Sequence, residues 1–201
     1  MSIDGLAAQL KALNLFGMAT ALAELRAESP RLTLTPDACL HRLIVAEIAA
    51  RHARSLRYQL TIAKFPIHRD LVGFDWQESP LPQAQVQQLA SAAFMEEAHN
   101  LILVGGTGSG KTHLATAIGV AAIHTGKRIR FYNAVDLVNL LEREKLAGKT
   151  GSLARKLIQA DAVIVDELGY LPFPESGGAL LFHLISQLYE RTSIIITTNL
   201  A

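Results

Sequence analysis

Residues 105–112 read Gly-Gly-Thr-Gly-Ser-Gly-Lys-Thr and follow directly on an apolar run, Leu101-Ile102-Leu103-Val104. That pairing constrains the fold more than any other stretch of the chain. The apolar run is short enough for a buried strand, and the glycines break it. A helical pattern then starts at Lys111-Thr112-His113-Leu114-Ala115. Strand, glycine turn and helix are the context in which G-x-x-x-x-G-K-[ST] means a phosphate-binding loop. Gly105, Gly106, Gly108 and Gly110, with Thr107 and Ser109 between them, let successive backbone N–H groups converge on one anion. The positive end of the new helix adds to that anion trap. Lys111 is then placed to reach β- and γ-phosphate oxygens, and the Thr112 hydroxyl to ligate Mg²⁺. The motif predicts a nucleoside triphosphate site. A glycine-rich connector with a chance Lys-Thr is the competing reading, and the flanking strand and helix weigh against it.

A chain of 201 residues that is 50% apolar can bury one α/β domain and a smaller appendage. Its formal net charge of +1 predicts no overall attraction to polyanions, so any nucleic-acid contact has to come from a local basic patch. Cys39 is the one cysteine, which excludes an internal disulfide and fits a reducing compartment. Residues 1–5 lack the basic and apolar regions of a signal peptide, and no apolar run approaches ~18 residues. A soluble, cytoplasmic protein with no membrane contact is expected.

Three segments follow from the patterning: a helical N-terminal domain over 1–64, a connector over 65–82 and the nucleotide domain over 83–201. Leu6, Leu10 and Leu13 share a helical face, as do Met18, Leu22 and Leu25 after a break at Phe16-Gly17. Ser29-Pro30 interrupts the pattern, and Thr35-Pro36 predicts an N-cap with proline at the first helical position. The next helix carries Leu40, Ile44 and Ile48 as an expected core stripe and then turns basic. Ile48 to Arg69 contains no Asp or Glu but does contain Arg51, Arg54 and Arg57 at i, i+3, i+6. These arginines are expected to cluster without acidic partners, either as a nucleic-acid contact or as a solvated face. Phe74 and Trp76 in the connector are expected to dock on the nucleotide domain. A helix over 83–98 precedes strands at 101–104, 128–132, 162–166 and 194–198. Helices are expected at 111–124, 134–146, 152–159 and 177–190, with Gly126 as a C-cap. This alternation predicts a parallel sheet with helices on both faces.

The strand Ala162-Val163-Ile164-Val165 ends in Asp166-Glu167. Ligands of open α/β sheets bind beyond the carboxyl ends of the strands, which places both acids beside the phosphate loop. Asp166 suits the Mg²⁺ shell and Glu167 the polarising of an attacking water, with a helix N-cap as the alternative for Asp166. The last strand ends Thr197-Thr198-Asn199, whose amide or hydroxyls could reach the γ-phosphate and the lytic water; turn chemistry is the alternative for Asn199.

These motifs together resemble the AAA+ ATPases of the IstB/DnaC group, the helper ATPases of insertion-sequence transposition and the bacterial helicase loaders. The resemblance rests on Gly105–Thr112 with His113-Leu114-Ala115, on Asp161 to Gly169 with Tyr170-Leu171-Pro172, and on Thr198-Asn199-Leu200. Leu6 to Met18, the basic helix and Phe65-Pro66 leading to Phe74-Asp75-Trp76 bring it nearer the IstB branch. It implies ATP and Mg²⁺ as ligands, and Walker A, Walker B and sensor roles for Lys111, Thr112, Asp166, Glu167 and Asn199. It also implies DNA and a transposase as partners and a homo-oligomer on DNA. A helicase loader and a nucleotide-gated, non-catalytic binding module stay open as alternatives. Members of the group have a fifth strand, an arginine finger and a second sensor arginine after the fourth strand, whereas this sequence stops at Ala201. The chain is therefore expected to be a fragment with Leu101–Val104 as an uncovered sheet edge and little hydrolysis of its own, since such a finger contributes about 10³–10⁵ in rate.

Overall fold

The chain after His99 runs strand, helix, strand, helix, as the hydrophobic pattern requires, and the strands meet in one parallel sheet. The structure, a computed structural model, describes residues 3–28, 35–77, 81–169 and 175–199. Ser29-Pro30, Pro80, Tyr170-Leu171-Pro172 and Leu200-Ala201 lie outside the described residues. Chain contacts divide it into two compact units, Met1–Tyr58 and Gln59–Ala201.

In the first unit, α1 (Ile3–Ala12) and α2 (Phe16–Glu28) precede α3 (Pro36–Ala63), which runs on into the second. Thr35 caps α3 as its residue type suggests, accepting the Ala38 N–H at 3.3 Å. The break between α1 and α2 lies at Asn14, whose φ of +60° ends α1, and Gly17 is already inside α2. Gly17 has a different use from the expected break. A Cβ there would come within 2.5 Å of the Ala46 carbonyl and 2.7 Å of Ala50 Cβ, so only glycine lets α2 approach α3 this closely. That approach selects which face of α3 is covered. Ala46, Glu47 and Ala50 turn to α2, and Leu40, Ile44 and Ile48 are exposed, contrary to the expected core stripe.

In the second unit, α4 (Gln83–Ala90) ends earlier than the pattern predicts. Ala92 takes φ +61°, and a single 3₁₀ turn (Ala93–Met95) replaces the rest of the helix, which buries both Ala92 and Met95. Then follow β1 (Leu101–Val104), α5 (Lys111–His124), β2 (Ile129–Asn133), α6 (Ala134–Leu146), α7 (Ser152–Leu157), β3 (Ala162–Leu168), α8 (Glu175–Leu188) and β4 (Ser193–Thr198). Gly126, at φ +92°, follows the end of α5 as a left-handed cap residue. The strand order is β1-β4-β3-β2, all parallel.

Residues alternate across the sheet. Val163, Val165 and Ile194 enter a core with α6, α7 and α8. Ile164 points the other way, to α5, where its Cδ1 approaches Gly119. α5 is buried on nearly all sides from Leu114 to Ile123, as its largely apolar sequence demands. Among the described residues β1 pairs only with β4, and Ile102 and Val104 are exposed on that edge.

Candidate functional site

The loop between β1 and α5 makes the turn the sequence asks for: Gly108 and Gly110 have φ +81° and +82°, a region L side chains avoid. Gly110 caps α5, so the first N–H groups of a 14-residue helix open onto the loop. Lys111 lies along the loop, its Nζ donating to the carbonyls of Gly105 at 2.8 Å and Gly106 at 2.7 Å. A third contact reaches Ser109 Oγ at 3.4 Å. Thr112, one residue on, turns to the sheet. Its hydroxyl stands 2.9 and 3.0 Å from the two oxygens of Asp166.

Asp166 shares the α5 side of β3 with Ile164 by strand alternation, which is why it meets the first turn of α5. It is 5% exposed, and among the described residues no cation lies within ion-pair distance of it. Its hydrogen-bond partners are two neutral hydroxyls, Thr112 and Thr197. A buried carboxylate normally carries a charged partner. Beside a hydroxyl and a phosphate-binding turn, this donor set fits a hard, oxygen-loving cation such as Mg²⁺. Among the described residues no three His, Cys, Asp or Glu side chains gather as a metal cage. Thr112 and Asp166 would thus supply the protein's share of the shell, and water and phosphate oxygens the remainder.

By alternation Glu167 would point to the opposite side of the sheet from Asp166. A bulge prevents that. β3 and β4 pair at Val165↔Ile196 and resume at Leu168↔Thr198, and Glu167 itself takes φ +62°. Such a bulge re-aims a side chain. Glu167 thereby enters the cleft, where Asn133 Nδ2 donates to its Oε2 at 2.8 Å. The cleft, of about 290 Å³, is lined by Thr107, Gly108, Lys111, Thr112, Glu167 and Asn199 among others. Lys111, Glu167 and Asn199, singled out from the sequence, thus line one cleft, and Asp166, bonded to Thr112, lines a second pocket together with Thr112, Asn133 and Glu167. Phe74 docks on the start of α5, and Trp76 packs on Phe74. Phe74 packs edge-on against Trp76 at 4.8 Å and His113 at 5.2 Å, with its ring 3.5 Å from the Cβ position of Gly110.

The sequence reading missed Asn133 and did not foresee the bonds that the Thr197 hydroxyl makes. Asn133 closes β2 in register with Asp166, and its Oδ1 also caps α6 by accepting the Val135 N–H at 3.0 Å. An Asn at a carboxyl strand end was the available signal. The hydroxyl of Thr197 turns to Asp166 and the Glu167 backbone, a use that a β-branched strand residue does not announce.

The arginine cluster is corrected. Arg51 Nε lies 2.8 Å and Arg54 Nη2 3.2 Å from Glu47 Oε1, and Arg54 also covers the Phe16 ring at 5.1 Å. Glu47 stands one residue before the acid-free stretch and is the i−4 partner of Arg51. These two arginines pair with it and do not cluster unpaired.

No helix among the described residues is long and apolar enough to cross a membrane. Three curated relatives carry names for ATP-binding proteins of insertion sequences. That of IS5376 from Geobacillus stearothermophilus is 35% identical, over 80% of this chain and 64% of the relative. That of IS21 from Pseudomonas aeruginosa is 37% identical, over 74% and 57%. That of IS232 from Bacillus thuringiensis subsp. berliner is 32% identical, over 99% and 80%. The chain thus spans less than two thirds of the length of the first two. Among solved structures, the DnaC helicase loader superposes with a TM-score of 0.54 at 25% identity, over 63% of this chain and 78% of that one. DnaA from Aquifex aeolicus, bound to AMPPCP, superposes with a TM-score of 0.55 at 20% identity, over 68% and 44%. The fold is that of the P-loop NTPases. The family model described as IstB-like ATP binding protein matches residues 8–201, and with the phosphate loop and Asp166-Glu167 in place the chain belongs to that family.

Proposed function

We propose that this chain binds ATP with Mg²⁺ in the cleft between the phosphate loop and the ends of β3 and β4, and that it hydrolyses ATP as a helper of a transposase on DNA. The observation that carries the nucleotide reading is Asp166, buried, without a cation and bonded to Thr112. Lys111 would leave the loop carbonyls for the β- and γ-phosphates, exchanging neutral acceptors for charged ones. Thr112 and Asp166 would hold Mg²⁺, which neutralises charge on the phosphates. Glu167 would accept the proton of the attacking water, and in the present arrangement Asn133 occupies one of its oxygens. Asn199, in the same cleft, would orient that water or the γ-phosphate. The names of the relatives, ATP-binding proteins of insertion sequences, support the reading of DNA and a transposase as partners. DNA-dependent assembly into an oligomer belongs to the same reading, as does a cytoplasmic location.

The test is ATP turnover and binding of a fluorescent ATP analogue, each with and without Mg²⁺ and DNA. Mg²⁺-dependent binding with no turnover under any condition would leave a nucleotide-gated module in place of an ATPase. Capture of a replicative helicase in preference to a transposase would replace the helper reading with that of a loader.

A further inference from the structure

Thr197 is 1% exposed, and its one hydroxyl is fully used. The oxygen accepts the Glu167 N–H at 2.9 Å, and the proton goes to Asp166 Oδ1 at 2.6 Å. Neither is a ladder bond. Where β3 bulges, Asp166 and Glu167 together face the single residue Thr197. The N–H that the ladder no longer pairs is taken up by a side chain. The next hydroxyl, of Thr198, donates to the Leu168 carbonyl at 2.7 Å and closes the bulge on its far side. A non-glycine residue at φ +62° persists only where its surroundings over-determine it, and this bond is one of those determinants.

We propose that Thr197 is a positioning residue for the nucleotide site, one hydroxyl holding both acids in place. The proposal rests on the reading of the cleft as a Mg²⁺–triphosphate site. Asp166 is oriented by two hydroxyls, one from α5 and one from β4. Thr112 stands at the start of α5 beside the phosphate loop, where its oxygen would help hold the metal. Thr197 stands in the sheet at the wall of the cleft, its hydroxyl already bonded to both acids, so it is the anchor that stays. A strand threonine valued for packing alone would need its methyl group and shape. A positioning threonine needs its hydroxyl.

The experiment titrates Mg²⁺ against binding of a fluorescent ATP analogue to the full chain, comparing wild type with Thr197→Val and Thr197→Ser. Loss of one charge-assisted hydrogen bond should raise the Mg²⁺ midpoint of Thr197→Val about tenfold. Affinity measured in chelator should stay unchanged, and Thr197→Ser should return to within about twofold of wild type by the same bond count. Amide hydrogen exchange at Glu167 is the second readout: slow in wild type and Thr197→Ser, fast in Thr197→Val. A wild-type midpoint in Thr197→Val, or equal failure of Thr197→Ser and Thr197→Val, overturns the assignment. Should Thr197→Val not fold, an unprotected Glu167 amide in the wild-type chain overturns it just as well. Absence of any Mg²⁺-dependent binding in wild type overturns the reading of the cleft itself and this assignment with it.

Discussion

Glu47 in the helical unit and Asp166 in the α/β unit are carboxylates buried to the same degree, 4% and 5% exposed, yet their surroundings differ in kind. Glu47 has everything a buried anion needs. Its Oε2 accepts the Gly17 and Met18 N–H groups at 2.7 and 3.2 Å, at the start of a helix with no acidic residue of its own in the first turn. Its Oε1 meets Arg51 and Arg54. The Arg51 hydrogen bond, with the two backbone N–H groups, holds its carboxyl below the ordinary carboxylate range. Among the described residues, the side chain of Asp166 has only hydroxyls as partners. A carboxylate already neutralised by the protein serves the fold, and one left with neutral donors beside a phosphate loop is available to a cation. The contrast fits a structural use for the first and supports the ligand role proposed for the second.

The largest effect that would sharpen this contrast is on turnover. Glu167→Gln keeps the shape of the side chain but is a far poorer base. Whatever ATP hydrolysis the chain shows should fall about 10²–10⁴-fold with nucleotide affinity retained. Turnover equal to wild type would move the water-activating role to another residue.

Lys111→Ala should weaken binding of the labelled ATP analogue by about a hundredfold, the scale of lost charge-assisted bonds to phosphate. Unchanged affinity would break the assignment of the loop.

On the structural side, Gly17→Ala should lower the unfolding free energy by about 2 kcal/mol, because the added methyl meets backbone at 2.5 Å and must push α2 off α3. Nucleotide affinity should not change, since no part of the cleft is touched. A denaturant melt together with an ATP-analogue titration checks both halves.

The pH dependence follows from the sign of the Glu47 shift. A carboxyl lowered by folding stabilises the native form above the ordinary carboxylate range, and that contribution disappears as pH falls through the depressed folded value. Glu47→Gln should therefore unfold more readily at neutral pH and show a shallower loss of stability in acid than wild type. Parallel acid profiles for the two proteins would contradict the role given to Glu47.

The smallest effect is expected from changing Arg51 and Arg54 together to Gln. Two lost phosphate contacts would flatten the log–log salt dependence of duplex DNA binding by roughly 1.8. Held by Glu47, these arginines should leave the slope nearly unchanged and lower the melting temperature. A slope change of the full size would restore them as a DNA surface.

Much of the α/β unit was legible because its signals are local. The strand at 101–104 and the helices at 111–124 and 134–146 coincide with β1, α5 and α6 to the residue, since apolar runs and glycines mark them directly. The cleft was legible for a similar reason: a parallel sheet delivers every strand end to one edge, so Lys111, Thr112, Asp166, Glu167 and Asn199 converge once the strands are assigned. The helical unit was far less legible. Its core stripe was assigned to Leu40, Ile44 and Ile48, and the packed face is Ala46, Glu47 and Ala50. Periodicity finds an apolar face but not the neighbour, and a glycine 30 residues away chose the small-residue face.

By itself, then, the sequence determined the order of elements, the phosphate loop with its glycine turn, and the identity of the residues that meet at the strand ends. Each of these follows from short-range preference or from the fixed geometry of a parallel sheet. Only the tertiary structure decided that Glu47 caps a helix from a distance and claims two arginines. It alone decided that a bulge re-aims Glu167 so that it lines a pocket with Asp166 and Asn133, and that Asn133 and Thr197 complete the hydrogen bonding of the two acids. Those choices depend on which donors and acceptors are left unpaired after the chain packs, and buried polar groups take whichever partner packing brings within reach.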